Sequence, residues 1–132
     1  MADVVDPGVV GAVQGGFVSE GWHYVGESGE PAFQNSWANV SGSVKMAFRI
    51  RESGVVDIQG TVAPGSSAGV FILPDGYRPS VAVSIPVAYE SSGLLVGLMN
   101  IGTNGTVQMP GASGTYYFVN DQFFLDPPAL AP

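Results

Sequence analysis

From Phe17 onward the apolar residues recur with a period of two. No window of helical length places them at i, i+3, i+4 and i+7 among good helix formers. Alternation of this kind commits the chain to short strands with one face buried. The clearest case alternates Val44, Met46, Phe48 and Ile50 with Lys45, Ala47, Arg49 and Arg51, so the first set faces a core and the cations face away. Glu52-Ser53-Gly54 turns the chain. Val55 to Val62 then returns with Val56, Ile58, Gly60 and Val62 on one side and Asp57, Gln59 and Thr61 on the other, which reads as a hairpin. Lys45, Arg49 and Arg51 are placed to pair with Asp57 across it, each exposed pair contributing at most roughly a few tenths of a kcal/mol.

The rest of the chain has the same texture, with 19 Gly and 10 Pro in 132 residues. Pro64-Gly65-Ser66-Ser67 reads as a loop and Gly69 to Leu73 as a short buried strand. Pro74-Asp75-Gly76 is a turn with Pro at its first corner and Gly where a positive φ is needed. Val81, Val83, Ile85 and Val87 alternate again, and Pro86 marks an edge or bulge. Leu94 to Ile101 and Thr106 to Met109 flank Gly102-Thr103-Asn104-Gly105, and Asn-Gly between apolar runs is a strong hairpin signal. Thr115 to Val119 and Gln122 to Leu125 are expected as two closing strands. About eight short strands with turns at roughly 8–12-residue spacing give an all-β fold, an antiparallel β-sandwich or jelly roll. It occupies residues 17–126, between an extended N-terminal arm at 1–16 and a Pro-rich tail at 127–132.

Composition narrows the chemistry. Four basic and eleven acidic residues give a net charge of −7, which argues against nucleic acid because phosphate binding needs a basic face. The absence of Cys and the single His exclude disulfide scaffolds, thiol catalysis and Cys/His zinc sites. Met1 to Pro7 has no basic start and no apolar run of signal length. The apolar stretches Ala68 to Leu73 and Leu94 to Met99 are too short and Gly-broken to span a bilayer, so a soluble chain without a leader is expected. His23, between Trp22 and Tyr24 with Glu20 and Glu27 nearby, reads as a packed or interface histidine, and there is no Gly-x-Ser-x-Gly elbow. Glu27, Glu30 and Asp121 match no calcium loop and read as solvated acids. No pair among the acids stands out as a glycosidase pair, and no Gly-rich loop leads to a Lys and a helix. Asn39-Val-Ser41 and Asn104-Gly-Thr106 match glycosylation acceptors but read as turn and strand-end residues. No catalytic residue, metal site or cofactor is assigned.

The aromatic residues say more. Trp22, Tyr24, Phe33 and Trp37 gather early, and Tyr116, Tyr117, Phe118, Phe123 and Phe124 late. In Tyr116-Tyr117 and Phe123-Phe124, neighbours point to opposite faces of a strand, so one ring of each doublet must leave the core. Charged residues make up only 11% of the chain, so an outward ring is expected to pack on a neighbouring subunit rather than face water.

One run of residues carries a resemblance. Phe33-Gln-Asn35-Ser-Trp37-Ala-Asn39 precedes a charged strand ending near Arg51. Gly54-Val-Val56-Asp-Ile58-Gln-Gly60 follows, then Phe71-Ile-Leu73-Pro74-Asp-Gly76-Tyr77-Arg78-Pro79 and a late Asn104-Gly105-Thr-Val107. Over residues 31 to about 125 this resembles the small β-sandwich domain at the C-terminal ends of tailed-bacteriophage fibres and minor tail proteins. The Leu-Pro-x-Gly-Tyr-Arg-Pro turn is its most recognisable element. The resemblance implies a jelly-roll-like homotrimer on the outside of a virion, assembled in the bacterial host cytoplasm, with no enzymatic activity. In the turn, Tyr77 lays its ring against the core and Pro79 holds Arg78 extended, so Arg78 needs an acidic or carbonyl partner.

The chain departs from that pattern in having barely 20–30 residues ahead of the domain, too few for a fibre shaft. This favours a capsid decoration protein that stabilises the shell, with a minor tail or tail-fibre head protein that binds the host receptor as the alternative. The implied partners are sister copies in a homotrimer and the major capsid or tail proteins, with a host cell-surface glycan in the second case, and neither nucleic acid nor membrane. Trp22, Trp37, Tyr77, Tyr116 and Phe124 are the residues expected at the trimer interface or in core packing. Val4, Val5, Val9 and Val10 would anchor the arm to the virion, gaining affinity by wrapping surface.

Overall fold

The computed structural model describes residues 20–126; the arm residues Val4, Val5, Val9 and Val10 and the tail at 127–132 lie outside the described residues. The described chain is all-β and antiparallel. Its strands are β1 (His23–Tyr24), β2 (Ala38–Asn39), β3 (Ala47–Arg51), β4 (Val55–Ala63), β5 (Gly69–Ile72), β6 (Val83–Glu90), β7 (Leu94–Ile101), β8 (Thr106–Gln108) and β9 (Tyr116–Phe124). They form one sheet in the order β1-β3-β4-β9-β6-β7-β8-β5, with β2 paired to β4. β3 and β5 stand near opposite ends of that order, yet Phe48 of β3 stacks on Phe71 of β5 with centroids 5.9 Å apart. The sheet therefore curls until its ends meet.

The segment after β1 closes the seam. Gln34 N–H donates to Val70 O at 2.8 Å, the Asn35 amide to Gly69 O at 2.9 Å, and the Trp37 indole N–H to Ser67 O at 2.7 Å. Inside the curl lie Met46, Phe48, Ile58, Phe71, Leu73, Met99, Ile101 and Met109, all fully buried. Among the described residues no polar or charged side chain is buried, so the core consists of apolar packing stitched by backbone ladders.

Alternation places β4 as expected: Val56, Ile58, Gly60 and Val62 point inward. Gly60 has φ +149°, and a Cβ there would collide with the backbone of Met46. That close approach explains a difference at β3, whose ladder begins at Ala47 rather than Val44. At Gly60 the pairing slips: Thr61 N–H donates to Val44 O at 2.8 Å, out of the register that sets Ala47 opposite Gln59. Met46 N–H is taken by the Asn39 side chain at 2.8 Å, and Val44, expected in the core, is exposed. A second difference is β9, a single strand where two were expected. Asn120 and Asp121 are ordinary ladder residues opposite Gln59 and Ile58, and do not turn the chain. At Pro86, β6 is an edge on its β9 side, because β9 pairs only with Ala88 to Glu90. The hairpin between β7 and β8 forms at Gly102 to Gly105, with the Asn104 side-chain oxygen Oδ1 accepting the Thr106 N–H at 3.0 Å.

Candidate interaction face

The outer face of the curl follows from strand parity and register. β9 presents Tyr116, Phe118, Asn120, Gln122 and Phe124 outward, and buries Tyr117, Val119 and Phe123. On one side its outward residues face β4: Phe118 opposes Thr61, Asn120 opposes Gln59, Gln122 opposes Asp57 and Phe124 opposes Val55. On the other side Phe118 opposes Ala88, which opposes Val96 of β7, while Tyr116 opposes Glu90, which opposes Leu94. Pro86 opposes Leu98. One continuous sheet face is thereby split into an apolar half and a polar half.

The apolar half carries Leu94 at 73% exposure, Val96 at 74%, Leu98 at 50% and Phe118 at 38%. Val44 extends it beyond Thr61, whose N–H donates to Val44 O at 2.8 Å. Side chains two apart on one strand and opposite on the next form a contiguous surface. Scattered exposed apolar residues are ordinary, whereas these form one patch across three strands.

The polar half is a lattice of charge. Arg49 Nε lies 3.1 Å from Asp57 Oδ2, Arg51 Nε lies 2.9 Å from the same oxygen, and Arg51 also donates to Gln122 Oε1 at 2.6 Å. Lys45, expected on Asp57 as well, instead meets Glu27 at 3.0 Å, because it lies ahead of the point where the β3–β4 ladder starts. The Arg49 guanidinium sits 4.3 Å from the centroid of the Trp22 ring. Beside them opens a groove of about 440 Å³.

A third feature lies at the β1 edge. His23 Nδ1 is 3.0 Å from Glu30 Oε2, and its Nε2 is 3.3 Å from Glu20 Oε1 and 3.1 Å from the Tyr77 hydroxyl. Tyr77 donates to Glu20 Oε1 at 2.8 Å, and the other Glu20 oxygen accepts the Ile50 N–H at 2.8 Å. The imidazole stacks on Phe48 at 5.2 Å. The two carboxylates meet opposite ring nitrogens and so do not converge on one point. Among the described residues no group of acids and His could hold a metal ion. The arrangement clamps the segment ahead of β1 to β3 and to the Tyr77 turn.

Burial pulls the His23 pKa down, but hydrogen bonds to Glu30 and Glu20 outweigh it and hold the imidazole above its ordinary 6.5. Burial pushes Glu20 up, but the Ile50 N–H, the Tyr77 hydroxyl and His23 together bring it below 4.5. Burial and Glu20 push the Tyr77 phenol up to about 12, so it remains a donor at neutral pH. A raised His pKa gives stability that is full below 6.5 and lost as pH climbs through the folded value; a lowered Glu pKa gives stability present above 4.5 and lost as pH falls through the folded value. The clamp is therefore strongest between 4.5 and 6.5 and weakens on both sides. His23→Gln should flatten the alkaline limb of urea midpoint against pH. An unchanged slope in the variant would assign that limb elsewhere.

The aromatic residues singled out from sequence occupy different places. Trp37 is core, 2% exposed and edge-on to Tyr117 at 5.8 Å. Tyr77 is half-buried against Phe48 and the clamp, and Trp22 walls the polar groove. Tyr116 is half-buried at the apolar end of the outer face, and Phe124 is exposed at the opposite end. The Leu73 to Pro79 run is a turn in which Tyr77 N–H donates to Pro74 O at 3.1 Å and Gly76 takes φ +91°, so Pro74 is the residue before the first corner. Arg78 finds both kinds of partner expected of it, Leu73 O at 2.8 Å and Asp75 at 3.0 Å. Sequence reasoning missed Leu94, Val96 and Leu98. The signal was present in Leu94-Leu95-Val96, since three apolar residues in succession on a strand make both of its faces apolar. No protein-family model matches this chain, and no curated protein is significantly similar to it.

Proposed function

We propose that the chain is a non-enzymatic structural protein that works by assembling with copies of itself, as a homotrimer, through the apolar half of its outer face. The observation that carries this is the contiguous stripe of Leu94, Val96, Leu98 and Phe118 left open to water by the single chain. Sister copies are the fitting occupant. The stripe is nearly free of charge, with Glu90 at its margin, and the chain's −7 net charge repels copies except where apolar area is covered. A stable interface of this kind covers roughly 800 Å² per partner.

The virion setting of the proposal rests on the Leu73 to Pro79 turn and its resemblance to phage fibre-head domains, with a jelly-roll-like closure of the curled sheet. A capsid decoration protein is the first form of the proposal. A receptor-binding minor tail or fibre-head protein is the second, favoured by the Trp22 groove on the same face. Sedimentation equilibrium of the full chain from micromolar to nanomolar concentration tests the shared core. The expected result is the mass of three copies, dissociating only at high dilution. A monomer throughout overturns the proposal.

A further inference from the structure

We propose that the polar half of the outer face is a binding site for a neutral oligosaccharide, seated against Trp22 over the amides of Gln59, Asn120 and Gln122. It deepens the receptor-binding form of the proposed function and rests on it; its central residues lie outside the apolar stripe, which it meets only at Phe118 and Val44.

The groove is lined by Trp22, Arg49, Asp57, Gln59, Asn120 and Gln122 among others, and its volume of about 440 Å³ suits a small ligand. The Arg49 guanidinium, 4.3 Å from the ring centroid, pins the indole, and Arg49 is itself fixed by Asp57 at 3.1 Å. An aromatic ring held in this way offers an apolar platform for the C–H face of a pyranose. Gln59 and Asn120 are register partners on adjacent strands, and their carboxamides have no hydrogen-bond partner among the described residues. Gln122, which also lines the groove, uses its side-chain oxygen on Arg51 and keeps an NH2 group that can donate. Donors and acceptors at fixed spacing on a rigid sheet are what a ring of hydroxyl groups requires.

The row does not end at the amides. A second hollow shares Gln59 and Asn120 and is bounded by Phe118 and Val44. Phe118 and Gln122 are four residues apart on one strand, about 13 Å at roughly 3.3 Å per residue. The two hollows, joined at Gln59 and Asn120, together run longer than one sugar unit, which points to an oligomer.

The alternatives fit worse. An anionic ligand would meet Asp57, while Arg49 and Arg51 are already engaged by that carboxylate. A peptide adding as a strand needs a free edge, and at the groove β4 is paired on both sides, with β3 and β9. An apolar ligand would leave the amides unsatisfied.

The test is titration of the full chain, followed by Trp fluorescence and by side-chain amide NMR signals, with linear oligomers of glucose, galactose, mannose, rhamnose and N-acetylglucosamine. Oligogalacturonate serves as the acidic comparison. Trp37 is buried and hydrogen-bonded to Ser67, so a fluorescence change reports Trp22. The expected result is saturable binding of at least one neutral probe below about 1 mM, weakened about 10-fold by Asn120→Ala or Gln59→Ala. Val96→Asp, placed in the apolar half, should leave it intact, so failure of assembly and failure of this site are distinguishable. No neutral probe bound at about 1 mM, binding that survives the Gln59→Ala/Asn120→Ala double variant, or preference for the acidic probe each overturns the proposal.

Discussion

Replacing Val96 by Asp should convert the assembled protein to monomers with little change in the stability of each chain. In the single chain Val96 is 74% exposed, so a carboxylate there stays in water and the unfolding free energy should change by no more than about 0.5 kcal/mol. In an assembly that covers the stripe, the same carboxylate would be buried among Leu94, Leu98, Ala88 and Phe118. An unpaired buried charge costs about 3–5 kcal/mol, a loss of roughly 10²- to 10⁴-fold in association per interface. Thr103→Asp adds the same charge on the exposed β7–β8 loop and should leave the assembly at full mass. Sedimentation of the three proteins at one concentration separates the outcomes. A Val96→Asp protein that keeps the wild-type mass would show that the stripe is not the interface.

The strands were largely legible because period-two alternation is a local property, as in Val55 to Val62, and because Asn104-Gly105 marks its own turn. Strand order was not. β4 lies between β3 and β9, and the pairing of Val56 with Phe123 is decided by which surfaces fit, with no trace in neighbouring residues. Val44 was misplaced for the same reason: alternation reports the period of a run but not where its pairing slips register, and it slips at Gly60, beyond which Thr61 N–H reaches Val44 O. Asn120-Asp121 looked like a turn because both are common turn residues, yet ladder pairing with β4 overrode that preference. The outer stripe was hidden differently. Leu94 to Leu98 has the composition of a buried strand, and only the register with Ala88 and Phe118 shows that its apolar residues continue a surface. Of the clamp, Glu20 three residues before His23 was visible, but Glu30 and Tyr77 arrive through the fold.

Phe48→Ala should be the most damaging single truncation on the β1–β3 side of the molecule. Phe48 is fully buried and its ring touches three others: Phe71 of β5 at 5.9 Å, Tyr77 at 5.1 Å and His23 at 5.2 Å. It therefore joins the early strands to the far end of the sheet order and supports the clamp from below. Removing such a ring costs about 3–5 kcal/mol, from lost burial plus the cavity left behind. Against a typical total of about 5–15 kcal/mol, this leaves a domain near its unfolding threshold. Phe124→Ala removes the same side chain from the outer face, where it is 48% exposed, and should cost a fraction of that. Phe48→Leu keeps most of the volume and should recover much of the loss, but without the face on which the imidazole stacks. Denaturant midpoints should therefore rank wild type, Phe124→Ala, Phe48→Leu, Phe48→Ala in falling order. Equal midpoints for the two alanine variants would mean that the contact between β3 and β5 does not hold the curl closed, and that the ladder through β4 and β9 carries the fold unaided.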